Sequence, residues 1–176
     1  MEEKTIVIKK GKHRSGLKLP KLFWKDSLTK SVMFCKGSLV FPHHLQVASY
    51  EHLPINKLFG FSLGGHHQRK NSVRIGWNTL QSGHIGLYAY CYVDGVRRWN
   101  LIDKVMLHEW VEISIKMISK TLIQIDVVKT EGIGGKTSHF VNLTSDKYNR
   151  WFSYRLFEYF GGEKPAPHDI TIKLRN

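Results

Sequence analysis

The sequence predicts an all-β fold: a two-sheet antiparallel β-sandwich of jelly-roll, lectin-like type, with a basic N-terminal arm. Three observations carry this. Apolar residues recur at every second position in several short runs. No segment keeps three-and-four apolar spacing over helical length. Turn-forming residues punctuate the runs. Many short strands separated in this way indicate a sandwich or jelly roll.

The elements follow in chain order. TIVIKK, near the start, is the first candidate strand. Residues 1–30 hold nine Lys or Arg, and KKGKHRSGLKLPKL mixes them with Gly and Pro, so this stretch is expected to be an extended arm. The sandwich is expected over residues 31–176. SVMFCKGSLVF and KLFGFSLG are its first candidate strands, and SVRIGWN turns Val73, Ile75 and Trp77 inward. HIGLYAYCYVDG carries Ile85, Leu87, Ala89, Cys91 and Val93 on one face and Tyr88, Tyr90 and Tyr92 on the other. Asp94-Gly95 then predicts a two-residue hairpin turn, because Gly accepts positive φ at little cost. EWVEISIKMI places Val111, Ile113, Ile115 and Met117 on one face. After a turn at Ser119-Lys120, LIQIDVV places Ile123, Ile125 and Val127 inward, with Gln124 and Asp126 outward. HFVNLT and RWFSYRLFEYF are further candidates. DITIKL closes the chain with Ile170, Ile172 and Leu174 inward. Two glycine-rich loops, EGIGGKTS and FGGEKPAPHD, join strands late in the chain.

With 176 residues, 41% of them hydrophobic, the chain can bury a core without metal or disulfide support. Cys35 and Cys91 are too few and too isolated for a disulfide framework. No apolar run approaches the length of a membrane span, and the N-terminus shows no secretion signal. Synthesis in a cytoplasm is the expectation. Lys and Arg total 27 against 14 Asp and Glu, a formal charge of +13, which draws in anionic partners: nucleic acid, an acidic polysaccharide or an acidic protein surface. Lys9, Lys10, Lys12, Arg14, Lys18 and Lys21 are the candidate contacts to such a partner.

The tyrosine row raises a second candidate site. Tyrosine offers a flat apolar ring with a polar tip, suited to a sugar or a base. Tyr88, Tyr90 and Tyr92 are therefore either a ligand platform or a face packed under a loop or neighbouring subunit. Arg97 and Trp99, sharing a face of the returning strand, extend the same candidate site. Ten histidines include the pairs His43-His44 and His66-His67, but strand neighbours face opposite ways and no metal-binding motif occurs, so neither metal nor cofactor is expected. Nucleophile-elbow, phosphate-loop and dinucleotide motifs are absent from the sequence. Glu109 and Glu112 fall on opposite strand faces, unlike the paired carboxylates of a glycosidase. A lyase would need an Arg, a His and a Tyr converging, residue types that are plentiful here.

LYAYCYVDGVRRW followed by LHEWVEISIKMISKTLIQIDV resembles the concanavalin-like and laminin-G-like jelly rolls, through Tyr92-Val93-Asp94-Gly95 and the alternation from Trp110 to Ile115. The tail YFGGEKPAPHDITIKL, with the KKGKHRSG start, resembles small proteins of gut Bacteroidota and their phages. These resemblances imply a lectin-like sandwich built into a virion. The calcium-site and carboxylate-pair motifs of the jelly rolls do not occur. The function expected is a non-enzymatic structural or adaptor protein, a phage virion component docking on other subunits of an assembly. A carbohydrate-binding module using the tyrosine sheet is the alternative, and a polysaccharide lyase or hydrolase the second.

Overall fold

The computed structural model describes residues 2–19, 21–22, 26–64, 68–130, 135–143 and 153–175. Its strands form two antiparallel sheets packed face to face. The larger runs β1 (Glu3–Ile8), β11 (Ile170–Arg175), β2 (Ser27–Phe34), β7 (Trp110–Met117), β8 (Leu122–Lys129), β9 (Lys136–Asn142). The smaller runs β10 (Arg155–Leu156), β3 (Asn56–Ser62), β4 (Ser72–Thr79), β5 (Ile85–Val93), β6 (Val96–Val105). Period-two patterning supplies the core. Ile113, Ile115, Ile125, Val127 and Ile172 of the larger sheet face Val73, Ile75, Trp77, Leu87 and Ala89 of the smaller, all buried. Phe34 and Trp77 meet across the gap, with ring centres 5.3 Å apart.

The basic stretch expected as an arm contributes β1, paired along its whole length with β11, and the start of β2. Between these strands the chain is tied to the late segment. The Gly11 N–H donates to the Ala166 carbonyl (2.8 Å), and the N–H groups of Phe160 and Arg155 donate to His13 and Lys21 (2.8 Å each). RWFSYRLFEYF yields the two-residue β10 and isolated bridges at Tyr154 and Tyr159, and its first three residues lie outside the described residues. The same is true of His66-His67, of 131–134 in the first glycine-rich loop and of Thr144 at the end of HFVNLT. A one-turn helix at Pro42–Leu45 lies between β2 and β3, opened by a proline that has no N–H to leave unpaired.

Two backbone features shape the smaller sheet. Asp94 (φ 51°) and Gly95 (φ 83°) both adopt the left-handed conformation, and Val93 pairs with Val96. This is the type I′ turn that suits strand twist. In β3, a bulge separates the pairs Lys57–Gly76 and Gly60–Arg74. A Cβ on Gly60 would lie 2.1 Å from the Val73 carbonyl oxygen, so only glycine fits there. The extra residue turns Lys57 away from the core, onto the outward face that it shares with Gly60.

Candidate functional site

The outward face of the smaller sheet is the floor of a groove. Cross-strand register sets its rows: Lys57, Gly76, Tyr88 and Leu101; then Gly60, Arg74, Tyr90 and Trp99; then Ser62, Ser72, Tyr92 and Arg97. The Tyr50–Ile55 connection and the chain around Tyr159–Glu163 form walls. Two cavities of about 450 and 410 Å³ meet at Lys57, Tyr90 and Arg97.

Lys57 stands at the junction. Its Nζ lies 4.8 Å from the Tyr90 ring centre and 6.0 Å from that of Tyr159, and it donates to the Gly161 carbonyl at 3.2 Å. Among the described residues no carboxylate pairs with it. Burial pushes its amine down to about 8, helped by the like charges of Arg74, Arg97 and Arg69. Gly76, its cross-strand neighbour, lets Ile55 of the wall close onto the sheet, since a Cβ there would lie 2.5 Å from an Ile55 methyl.

Arg74 lies deeper, only 7% exposed. It donates to the Gln68 side-chain oxygen (3.3 Å) and the Phe157 carbonyl, both neutral, and its Nε has no partner among the described residues. Burial pushes the guanidinium down to about 10, partly offset by Tyr90 and Glu158. Glu158 is already held by Lys18 and Ser15, so among the described residues no carboxylate bonds the Arg74 guanidinium, and a buried cation without a bonded counter-ion is costly. The groove therefore favours an anion. Tyr90 is held in its protonated form: burial first, then the neighbouring Tyr92 phenol, push it up to about 12 against the pull of Arg97.

All five residues of the tyrosine candidate site reach this groove: Tyr88, Tyr90, Tyr92, Arg97 and Trp99. They do not form an open stacking row. Tyr90 is buried with Lys57 over its ring, while Tyr88 is half-buried and donates to Asn78 (3.0 Å). Trp99, 46% exposed, is the accessible aromatic, and the Arg97 guanidinium sits 4.8 Å from its ring centre. The basic candidates divide. Arg14 stands over Tyr159 (5.5 Å) and lines the groove. Lys18 pairs with the buried Glu158, which also accepts from Ser15. Lys9 pairs with Asp169 at 2.7 Å. Lys10, Lys12 and Lys21 are exposed, outside the groove.

Lys57, Gln68, Arg74 and Tyr159 were not singled out from sequence. Arg74 had a usable signal, since it alternates with Val73, Ile75 and Trp77 in a strand short of other charges. Lys57 had none, because strict alternation in KLFGFS places it with Phe59 and Phe61. No group of three or more His, Cys, Asp or Glu stands ready for a metal among the described residues.

No protein-family model matches the sequence, and no curated protein sequence matches it. Solved structures do match in fold. A marine PL-14 alginate lyase from Aplysia kurodai superposes with a TM-score of 0.59 at 16% identity, covering 98% of this chain and 80% of that one. Alginate lyase Aly36B gives 0.59 at 15%, covering 98% and 78%. An Aly36B variant with a lysine and a tyrosine replaced by alanine, in complex with alginate tetrasaccharide, gives 0.52 at 16%, covering 85% and 66%. The shared fold is a jelly-roll-like β-sandwich. The resemblance to proteins of gut Bacteroidota and their phages is not shown by these comparisons. The expectation of a non-enzymatic adaptor or virion component is corrected on this finding: two structures that share the fold along nearly the whole chain are alginate lyases.

Proposed function

We propose that the protein is a polysaccharide lyase that cleaves a uronate-containing polysaccharide by β-elimination in this groove. The observation that carries the reading is Lys57: a recessed amine with no carboxylate partner among the described residues, held near 8, beside a buried arginine and a protonated tyrosine. A general base works best when its pKa lies near the operating pH. Neutral Lys57 takes the proton from the sugar carbon that bears the carboxylate. Arg74, with Gln68 beside it, faces that carboxylate and stabilises the negative charge that develops there. The phenol of Tyr90 gives its proton to the glycosidic oxygen on the adjacent ring carbon as that carbon–oxygen bond breaks. The electron pair of the broken C–H bond becomes a ring double bond conjugated to the carboxylate, and no water is consumed.

Two supports stand beside the geometry. The Aly36B variant complexed with alginate tetrasaccharide lacks a lysine and a tyrosine, the two residue types paired here. Of the carboxylates, Glu51 lines one cavity and Glu163 the other, and neither lines both, as Lys57, Tyr90 and Arg97 do. The test is incubation with alginate, polyglucuronate and unsulfated chondroitin, following ultraviolet absorption of the conjugated product. Absorption that grows with the parent chain and not with Lys57→Ala is the expected result. Hydrolysis without an absorbing product, or an active Lys57→Ala variant, would refute the assignment.

A further inference from the structure

The two halves of the groove are chemically unlike. Beyond the shared centre, one half is lined by Ile55, Asn78, Leu80, Gln81, Tyr88 and Trp99, which are apolar, amide or aromatic. It holds no cation among the described residues, and its one charge is the carboxylate of Glu51. The other half carries three cations, Arg14, Arg69 and Arg74, with Gln68 and a single carboxylate, Glu163. A chain bound across Lys57 places one sugar in each half.

We infer that the groove takes an acidic heteropolysaccharide, in which a uronate alternates with a neutral sugar, in preference to a homopolymer of uronates. The uronate lies in the arginine half, where its carboxylate meets guanidinium groups with planar, bidentate geometry. The neutral sugar lies in the other half. Exposed Trp99 offers it a ring face held in place by Arg97, and the Asn78 and Gln81 amides suit hydroxyl or acetamido groups. A homopolyuronate would set a second carboxylate in this half, with Glu51 nearby and, among the described residues, no cation beyond the shared Lys57 and Arg97 to receive it. Specificity then comes from repulsion as well as attraction. The inference rests on the lyase reading for which bond breaks, but not for what binds.

The experiment measures binding and cleavage separately. Binding is titrated with the Lys57→Ala chain, checked for folding by its melting temperature, using unsulfated chondroitin hexasaccharide and a hexamannuronate of equal length. The chondroitin fragment is expected to bind at least about tenfold more tightly, roughly one charge-assisted hydrogen bond's worth of discrimination. Equal or tighter binding of hexamannuronate, or no binding of either, overturns the inference. Glu51→Gln and Gln81→Arg, both at exposed positions, should narrow the preference several-fold, and an unchanged ratio counts against it. A clear binding preference without any ultraviolet-absorbing product from the parent chain would sink the lyase assignment alone and leave this one standing.

Discussion

On the outward face of the larger sheet, Asp126 is only 2% exposed, yet it is surrounded by partners from its own sheet. Ser138 and Gln124 donate to it at 2.7 Å each, and Lys136 and Lys116 pair with it at 3.2 and 3.4 Å. On the outward face of the smaller sheet, Lys57 and Arg74 are recessed, their hydrogen-bond acceptors among the described residues are neutral, and Glu158, the carboxylate felt at Arg74, is already paired with Lys18. Both faces hold buried charge. One neutralises it internally, and the other leaves it to be met from outside. Folding alone gains nothing from the second arrangement, so that face is where function is expected.

The largest effect should come from breaking the open face. Lys57→Ala should lower kcat/KM by about 10²–10⁴, the range for a general base, and Tyr90→Phe should do the same through lost proton donation. Folding stability should stay level or rise for Lys57→Ala, because a half-buried cation with no carboxylate partner among the described residues is removed. Steady-state kinetics and a thermal melt check both halves of that statement. A variant that keeps full activity but loses stability would make the two faces alike.

The pH profile sharpens the contrast next. Lys57 must be neutral to accept a proton, and its amine is held at about 8. Activity should therefore rise with pH up to about 8, roughly tenfold per pH unit well below that value, and then level off. Tyr90, pushed up to about 12, stays protonated across this range and adds no descending limb. A profile already flat at pH 6 would show that Lys57 is not the base.

Gly60 tests how the open face is built. Gly60→Ala forces a methyl group toward the Val73 carbonyl, so the bulge must shift. A loss of about 1–3 kcal/mol in denaturant unfolding is expected, in the range for overpacking, together with reduced turnover as Lys57 is displaced. The same substitution at exposed Gly135, outside the groove (no atom within 4 Å of a Cβ), should do neither.

This bulge also marks where sequence reasoning stops. The sandwich was legible, because alternation at Val73, Ile75 and Trp77 or at Ile123, Ile125 and Val127 reports burial directly, and Asp94-Gly95 names its own turn type. The tyrosine row was legible as a face, though whether that face was open depended on Lys57 lying over Tyr90. Lys57 itself was hidden by one extra residue in β3, which reverses the faces that alternation assigns. Arg14 drew notice as part of a charged run, but nothing in its neighbours foretold Tyr159, far along the chain, as the residue it stands over. Asp126 read as an ordinary outward position, and its burial comes from partners on three strands.

The smallest effect concerns that closed face. Burial alone would raise the Asp126 carboxyl, but Ser138, Gln124 and Lys136 outweigh it and hold the group at about 2, against an ordinary 3.8. A carboxyl lowered in the folded state contributes stability above its unfolded value, and that contribution fades as pH falls through the folded one. The cluster should therefore be at full strength above about pH 4 and be lost on the way to pH 2. Its worth is about 1–2 kcal/mol once screening at the solvent-facing lysines is allowed for. Asp126→Asn should lower stability at pH 7 by that order, flatten the acid limb of the melting curve, and leave kcat/KM unchanged. If instead the acid limb persists in the variant, other carboxylates carry it. If turnover falls while the melt is unaltered, the charges of the two faces are coupled through the core, and the division between a self-satisfied face and a receptive one does not hold.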